Sequence, residues 1–559
     1  MKSAATPIPR SAEGAAREAP AVPAGRGSAR AGGRVPAAAG VCVGAALILA
    51  WVLAYPHTPD LAGQVYRVGL FEHSGFIVWD EHWYAGHHIP AYSLLFPLLG
   101  SLLGIRLLGA AAVLASCFLF ERLASPVYGQ SARWGAAFFA VAAVGDVWAG
   151  RVAFALGVCV ALAAALAFAR GRTAIAVVLS VLCAASSPVA ALSLGLAALA
   201  LSVHRRSPRA VLALGLPAAL LVLALAVLFP EGGYEPFPIR SFAATAVVVL
   251  LFLWALPPSA RLLRTGGVIY LAACTACLLI HSPIGSNIER LGVLLAGPLL
   301  LCALASDRAR SERGSRVGPV AALALCAAAL WVLWGPVRET RAVAGSPATS
   351  AAYYTPLERF LAGVPGPVRV EVPLTRTHWE AALLAPAVSL ARGWDKQLEE
   401  RYDHVLISPS LTPASYRRWL ADQAVAYVAL PDVPLDGSSA QEGRLIRSGL
   451  AYLREVARSP HWRIFRVIGA TPLAQGPGTL TGLGHDWLSL RADAAGSFLV
   501  RAHYTRYWTA TSGAACISRA AGGWTRLTVP RPGPVTIAAR FSLGRAFGQG
   551  GSCETRPGG

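Results

Sequence analysis

Charge is scarce in this sequence. Asp, Glu, Lys and Arg fill 14% of its 559 positions and the mean hydropathy is +0.52, which excludes an ordinary soluble protein. Lysine is nearly missing, at two of 49 basic residues, and Met1 is the only methionine, a pattern that looks like codon bias and says little about partners. The formal charge of +20 splits into +11 before residue 336 and +9 after it. Neither part has a basic stripe, so nucleic acid is excluded as a partner. Cysteine outside the apolar segments is limited to Cys516 and Cys553, which leaves one disulfide open in the tail. Cys274 and Cys277 form a lone CxxC inside an apolar run, with no second pair, and read as packing residues rather than zinc ligands.

Long apolar runs are what the sequence does have. Crossing the hydrocarbon core takes about 20 mostly apolar residues, and residues 35–335 supply such runs repeatedly. Residues 1–34 lack apolar periodicity and read as a disordered cytoplasmic arm. The run 35–55 reads as an uncleaved first helix, since no small-residue cleavage site closes it. Further spans are predicted near 105–122, 132–148, 152–169, 173–187, 188–203, 210–229, 241–256, 266–281, 289–305 and 318–335, giving about eleven. With the N-terminus inside, 19 of the 24 basic residues before 336 fall on the inner side, which satisfies the positive-inside rule and places residues 336–559 outside. An error of one helix reverses that, and the pair around Ser186-Ser187-Pro188 is the weak point. In the tail, 336–472 alternates strand-like runs (368–372, 424–430, 462–467) with helix-like runs (377–390, 413–422, 441–457), an α/β unit. Residues 473–559 alternate in the manner of a β-sandwich. Neither unit carries a nucleophile motif, phosphate loop or metal signature.

The outer side holds the mixed charges. The loop 56–104 contains Asp60 and Arg67, then Trp79-Asp80-Glu81-His82-Trp83-Tyr84-Ala85-Gly86-His87-His88. Tyr92 to Pro97 then opens an apolar segment long enough to dip into the leaflet before the second span. An acidic residue at the outer end of the first helix, a W-D-x-x-W-x-x-G-like run and a Y-x-x-x-x-P segment together resemble the GT-C superfamily of membrane glycosyltransferases. The likeness is to its YfhO-like and arabinofuranosyltransferase-like bacterial members. Gly150-Arg151-Val152-Ala153-Phe154, Asn287-Ile288-Glu289-Arg290-Leu291, Arg369-Val370-Glu371, Tyr507-Trp508 and the run 522–541 extend the resemblance over most of the chain.

The resemblance implies a polytopic α-helical membrane protein of GT-C type that takes a sugar from a polyprenyl-phosphate donor and passes it to a glycan or lipid acceptor on the outer face. It implies Asp60 as the base that deprotonates the acceptor hydroxyl, with Asp80 as runner-up. Arg151, Arg240 or Arg290 would meet the departing phosphate. A divalent cation held by carboxylates is the alternative, with Asp146 its candidate ligand, although no Asp-x-Asp surrounds it. Trp79, Trp83 and Tyr84 would stack on sugar rings, and Glu81, His87 and His88 would bind substrate. Each has a plainer reading: Asp60 as a helix-flanking acid, Asp80 and Glu81 as a solvated loop face, the aromatics as an interfacial belt and the arginines as headgroup anchors. Two rival functions remain open: a transporter or flippase of lipid-linked intermediates, against which no paired repeat is found, and a non-catalytic glycan-binding scaffold.

Overall fold

The computed structural model describes residues 38–310 and 318–548. The arm 1–34 and Cys553 lie outside the described residues; Cys516 is disulfide-bonded. Helices α1 (Ala39–Ala54) and α2 (Pro59–Ser74) are joined with a 75° bend, and the short α3 (Phe96–Leu103) precedes α4 (Ile105–Tyr128). Then follow α5 (Ala132–Trp148), α6 (Val152–Ala169), α7 (Thr173–Ser186), α8 (Pro188–Arg205), α9 (Leu216–Leu228, entered through a wide turn at Val211–Gly215), α10 (Ile239–Ala255), α11 (Arg261–Leu279), α12 (Glu289–Arg310) and α13 (Pro319–Val343).

Among the described residues, seven helical segments are long and apolar enough to cross a membrane, or eight if the α1–α2 pair is one broken span. The eleven expected from the sequence are not reached by that count. The segment Ile105–Trp148 counts once although α4 and α5 pack against each other. The apolar helices α7 and α10 have 14 and 17 residues, about 21 and 26 Å of rise against a core of about 30 Å. At residues 186–188 the chain breaks between α7 and α8, and Ser187 caps α8 by accepting from the Ala190 amide.

After α14 (Ala351–Ala362) comes a five-stranded mixed sheet of order β4-β3-β5-β7-β6. It uses β3 (Arg369–Glu371), β4 (Ser389–Leu390), β5 (Val425–Pro431), β6 (Leu453–Arg458) and β7 (Trp462–Val467); β4, β3 and β5 run parallel. The helices packed in this region are α15 (Glu380–Leu383), α16 (Lys396–Tyr402), α17 (His404–Ile407), α18 (Pro413–Asp422) and α19 (Ala440–Arg447). The helix expected over 377–390 shrinks to the single turn α15 because 389–390 is recruited as an edge strand. That expected over 441–457 stops at Arg447, where Gly449 (φ +81°) turns the chain into β6.

The last part is a sandwich of two four-stranded antiparallel sheets. One is β12-β15-β10-β9 and the other β13-β14-β11-β8, with β8 (Ala474–Gln475), β9 (Gly478–Leu483), β10 (Trp487–Ala492), β11 (Gly496–His503), β12 (Trp508–Ser512), β13 (Cys516–Arg519), β14 (Trp524–Val529) and β15 (Gly533–Ala539). Alternate residues such as Leu488, Leu490, Phe498, Val500, Leu527, Val535 and Ile537 fill its core. Val78 and Trp79 from the first long loop, and Leu225 and Phe229 from the end of α9, belong to that same core, so the sandwich is built onto the helical part.

The loop 75–95 is the fastener. Strands β1 (Trp79–Asp80) and β2 (His87–His88) pair antiparallel, and the turn between them has positive φ at Tyr84, Ala85 and Gly86. A Cβ on Gly86 would lie 2.4 Å from the Trp79 ring and 2.7 Å from a Glu81 carboxylate oxygen, so only glycine fits. Trp83 is wholly buried, donates to the Ala381 carbonyl at 3.2 Å and lies against Gly393. Tyr507 donates to the Leu228 carbonyl at 2.7 Å, tying the sandwich to the end of α9.

Candidate functional site

The first turn of α2 docks on the elbow between α5 and α6. Gly150 (φ +89°) makes this possible, since a Cβ there would sit 2.6 Å from the Leu61 amide nitrogen. Gln64 donates to the Gly150 and Asp60 carbonyls and accepts from the Ala153 amide at 2.8 Å. The docking sets Asp60 beside Arg151, with Oδ2 3.1 Å from Nε. Asp146 lies 3.6 Å from Nη1 of the same guanidinium. Arg290, in the first turn of α12 and 5.5 Å from the Phe154 ring, acts electrostatically on both carboxylates.

A second ion pair lies two turns farther along the same face of α2. Arg67, one turn beyond Gln64 on α2, pairs with Asp395 at 3.3 Å, stacks over Tyr92 at 4.0 Å and approaches Trp83 at 5.2 Å. Asp395 belongs to the loop before α16, and its backbone amide and carbonyl both bond to the Tyr84 hydroxyl, at 3.0 and 3.1 Å. Burial holds the Asp395 carboxyl above its ordinary pKa against the pull of Arg67. Burial likewise pushes Glu235, in the loop after α9, up to about 7, while Ser286 donates to it at 3.1 Å. Asp60 is 32% exposed, Arg151 22% and Asp395 19%, so this is an open, mixed-charge cleft rather than a sealed core.

Of the residues singled out in the sequence, the structure thus gathers Asp60, Arg151, Asp146 and Arg290. Arg240 is exposed on the first turn of α10 and is not part of that group. Asp80, Glu81, Trp79, Trp83, Tyr84, His87 and His88 are not a solvated loop: all are 7% exposed or less. Asp80 accepts from the Tyr66 hydroxyl (2.8 Å) and the His82 amide (3.1 Å) and bonds the His485 ring (2.9 Å). Burial would raise its pKa, but the His485 bond and the charges of His87 and His485 hold it at about 2. Glu81 accepts from the Trp79 indole at 2.8 Å with Arg369 3.9 Å away, and burial pushes it up to about 8. Trp79, Trp83 and Tyr84 offer no open face to a sugar in this arrangement. Their rings are used in packing, and Trp83 stacks on Tyr66 at 4.3 Å and on His87 at 5.6 Å. The His88 ring bonds the Thr505 hydroxyl at 3.1 Å, its backbone amide donates to Glu231, and Nδ1 lies 2.8 Å from the same carboxylate.

The Arg151 guanidinium pairs with both Asp60 and Asp146, and among the described residues no group of three or more His, Cys, Asp or Glu is arranged to hold an ion. Arg67 and Gln64 had a visible signal, since Asp60, Gly63, Gln64 and Arg67 share one face of α2 at helical spacing. Asp395 had none.

A second polar cluster lies inside the mixed sheet. Arg392 is 1% exposed and meets Glu399, Glu442 at 3.1 Å and Glu371 at 3.7 Å, with Asp403 nearby. Burial, then the neighbouring Glu442, raises Glu371 well above the ordinary carboxylate range.

No family model matches the chain, and no curated protein matches it. Among solved structures, the chain is similar to the arabinofuranosyltransferase AftD from mycobacteria, determined by single-particle cryo-EM. The identity is 14% and the TM-score 0.45, over 90% of this chain and 57% of that one, so this chain spans less than two thirds of that protein.

Proposed function

We propose that the chain is a membrane glycosyltransferase of GT-C type, transferring a sugar from a polyprenyl-phosphate donor to an envelope glycan or lipid acceptor. The observation that carries this reading is the Asp60–Arg151 pair with Arg290 beside it, at a partly open cleft where spanning helices end under a folded C-terminal region. A transfer of this kind needs a carboxylate for the acceptor proton and fixed cations for the phosphate that leaves, at one place. In this reading the acceptor oxygen bonds the anomeric carbon as its proton passes to Asp60. The bond from the anomeric carbon to the phosphate oxygen breaks, and the lipid phosphate keeps the electron pair under Arg151 and Arg290. Asp395 and Arg67 form the acceptor-side wall, and the buried loop 75–95 positions them through Trp83 and Tyr84. The positive-inside distribution of arginines supports a cytoplasmic N-terminus and an extracytoplasmic C-terminal region.

The test is transfer of radiolabelled sugar from purified polyprenyl-phosphate donors by the full-length protein in lipid nanodiscs. Asp60→Asn keeps the shape of the pair and is expected to cut turnover by about 100-fold or more with donor binding retained. Unchanged turnover in a folded Asp60→Asn protein removes Asp60 as the base. Donor movement across the bilayer without a new glycosidic bond replaces this reading with a flippase.

A further inference from the structure

The sandwich carries one apolar patch that the cleft does not explain. Phe541, Leu543 and Phe547, on the segment that follows β15, are 43%, 64% and 71% exposed. They include the single turn α20 (Leu543–Ala546). A protein rarely leaves three large apolar side chains together in water.

Their position identifies what covers them. Phe541 lies 5.7 Å from Phe229 and 5.5 Å from Tyr507, and Tyr507 holds the Leu228 carbonyl at the last turn of α9. The helical segment ending there, Val211–Leu228, is one of the candidate spans. It is only 22% buried, with Leu216, Leu220, Leu223 and Val227 exposed at 43%, 56%, 60% and 52%. The patch therefore continues a lipid-facing surface at the level where that surface leaves the hydrocarbon. Arg545 and Arg506 flank it. They are held by the Tyr507 and Ala546 carbonyls respectively, and Arg545 also donates to Thr509 at 2.7 Å, so positive charge is fixed beside the apolar side chains. Apolar rings bordered by arginine are the composition of a surface lying at the headgroup–acyl boundary.

We propose that Phe541, Leu543 and Phe547 are a lipid-docking foot that seats the β-sandwich on the bilayer beside α9. This is independent of the sugar-transfer reading, since it concerns the sandwich's contact with lipid and no residue of the cleft.

The test uses full-length protein in nanodiscs with Cys42 and Cys326, the exposed thiols among the described residues, replaced by alanine. A fluorophore is attached at Leu543→Cys or, for comparison, at Ser497→Cys, an exposed position at the opposite end of the sandwich. Nitroxide-labelled phospholipid is expected to quench the dye at 543 several-fold more than at 497, and soluble iodide to show the reverse order. Equal iodide quenching at the two positions overturns the proposal. Shielding of 543 from both quenchers also overturns it, because the cover is then protein, such as a second copy. To separate docking from the dye's own lipophilicity, the dye is kept at 543 and Phe541→Ser and Phe547→Ser are added. Lipid quenching is expected to fall, and unchanged quenching in a folded protein counts against the foot.

Discussion

Gly86 and Glu81 meet in the turn of the buried hairpin, and each gives a separable consequence. In Gly86→Ala the new methyl lands on the Trp79 ring at a φ of +112°. The expected cost is about 2–6 kcal/mol, combining backbone strain with overpacking, seen as a large fall in thermal midpoint in nanodiscs. An unchanged midpoint would show the turn to be pliable. Glu81 titrates at about 8 rather than 4.5 because it is buried, so the native state favours its protonated form. A raised acid stabilises fully below the unfolded pKa and loses that contribution as pH rises through the folded one. Wild type is therefore expected to lose stability relative to Glu81→Gln between pH 5 and 8.5. Parallel midpoint curves over that range would contradict the protonated assignment. The residue scale is also where the sequence was least informative. Asp80 and Glu81 look like loop acids because their cover, His485, Arg369 and Ser389, lies about 300 or more positions away.

At the scale of elements the sequence was more legible, and the reasons are local. Pro413–Asp422 begins with a Thr412 cap, Pro at the first turn and a capping box with Ser415, all written in adjacent residues, and its expected bounds match. Trp462–Val467 matches as well, its run flanked by a turn. The runs 377–390 and 441–457 read as helices because their spacing permits it, and the sheet overrode them by needing β4 and β6 at its edges. The cleft divides the same way. Asp60 and Arg151 were visible from their places at helix ends, whereas Asp395 is set by a loop of another sheet. Within that sheet, Arg392 holds α16 and α19 to β3 through three carboxylates. Arg392→Ala leaves those buried acids without a counter-charge, and the expected loss is about 3–5 kcal/mol, measured by thermal unfolding. Arg392→Met measures the other side of the same balance: replacing the charge by an apolar chain should cost no less while the carboxylates remain.

For the whole molecule, the hairpin at 79–88 shares its packing with the helical part, the mixed sheet and the sandwich, and so couples them even though the mixed sheet also has a core of its own around Leu420, Val428 and Phe465. The expected thermal unfolding in nanodiscs is one cooperative transition, with tryptophan fluorescence and far-ultraviolet dichroism coinciding. Two resolved transitions would mean that the C-terminal region folds as an independent body. A truncation ending at Val343 would expose Trp79, Trp83 and Phe229 and is expected to aggregate or be degraded.

The same hairpin also sets a schedule for synthesis. Trp83 leaves the ribosome some 300 residues before Ala381 and more than 400 before the sandwich strands that enclose its neighbours. At about 5–20 residues per second the wait is roughly 15–90 s. Through that interval two tryptophans and several unsatisfied polar groups stand beside a half-built helical bundle, so the nascent chain needs a shelter that the finished protein does not.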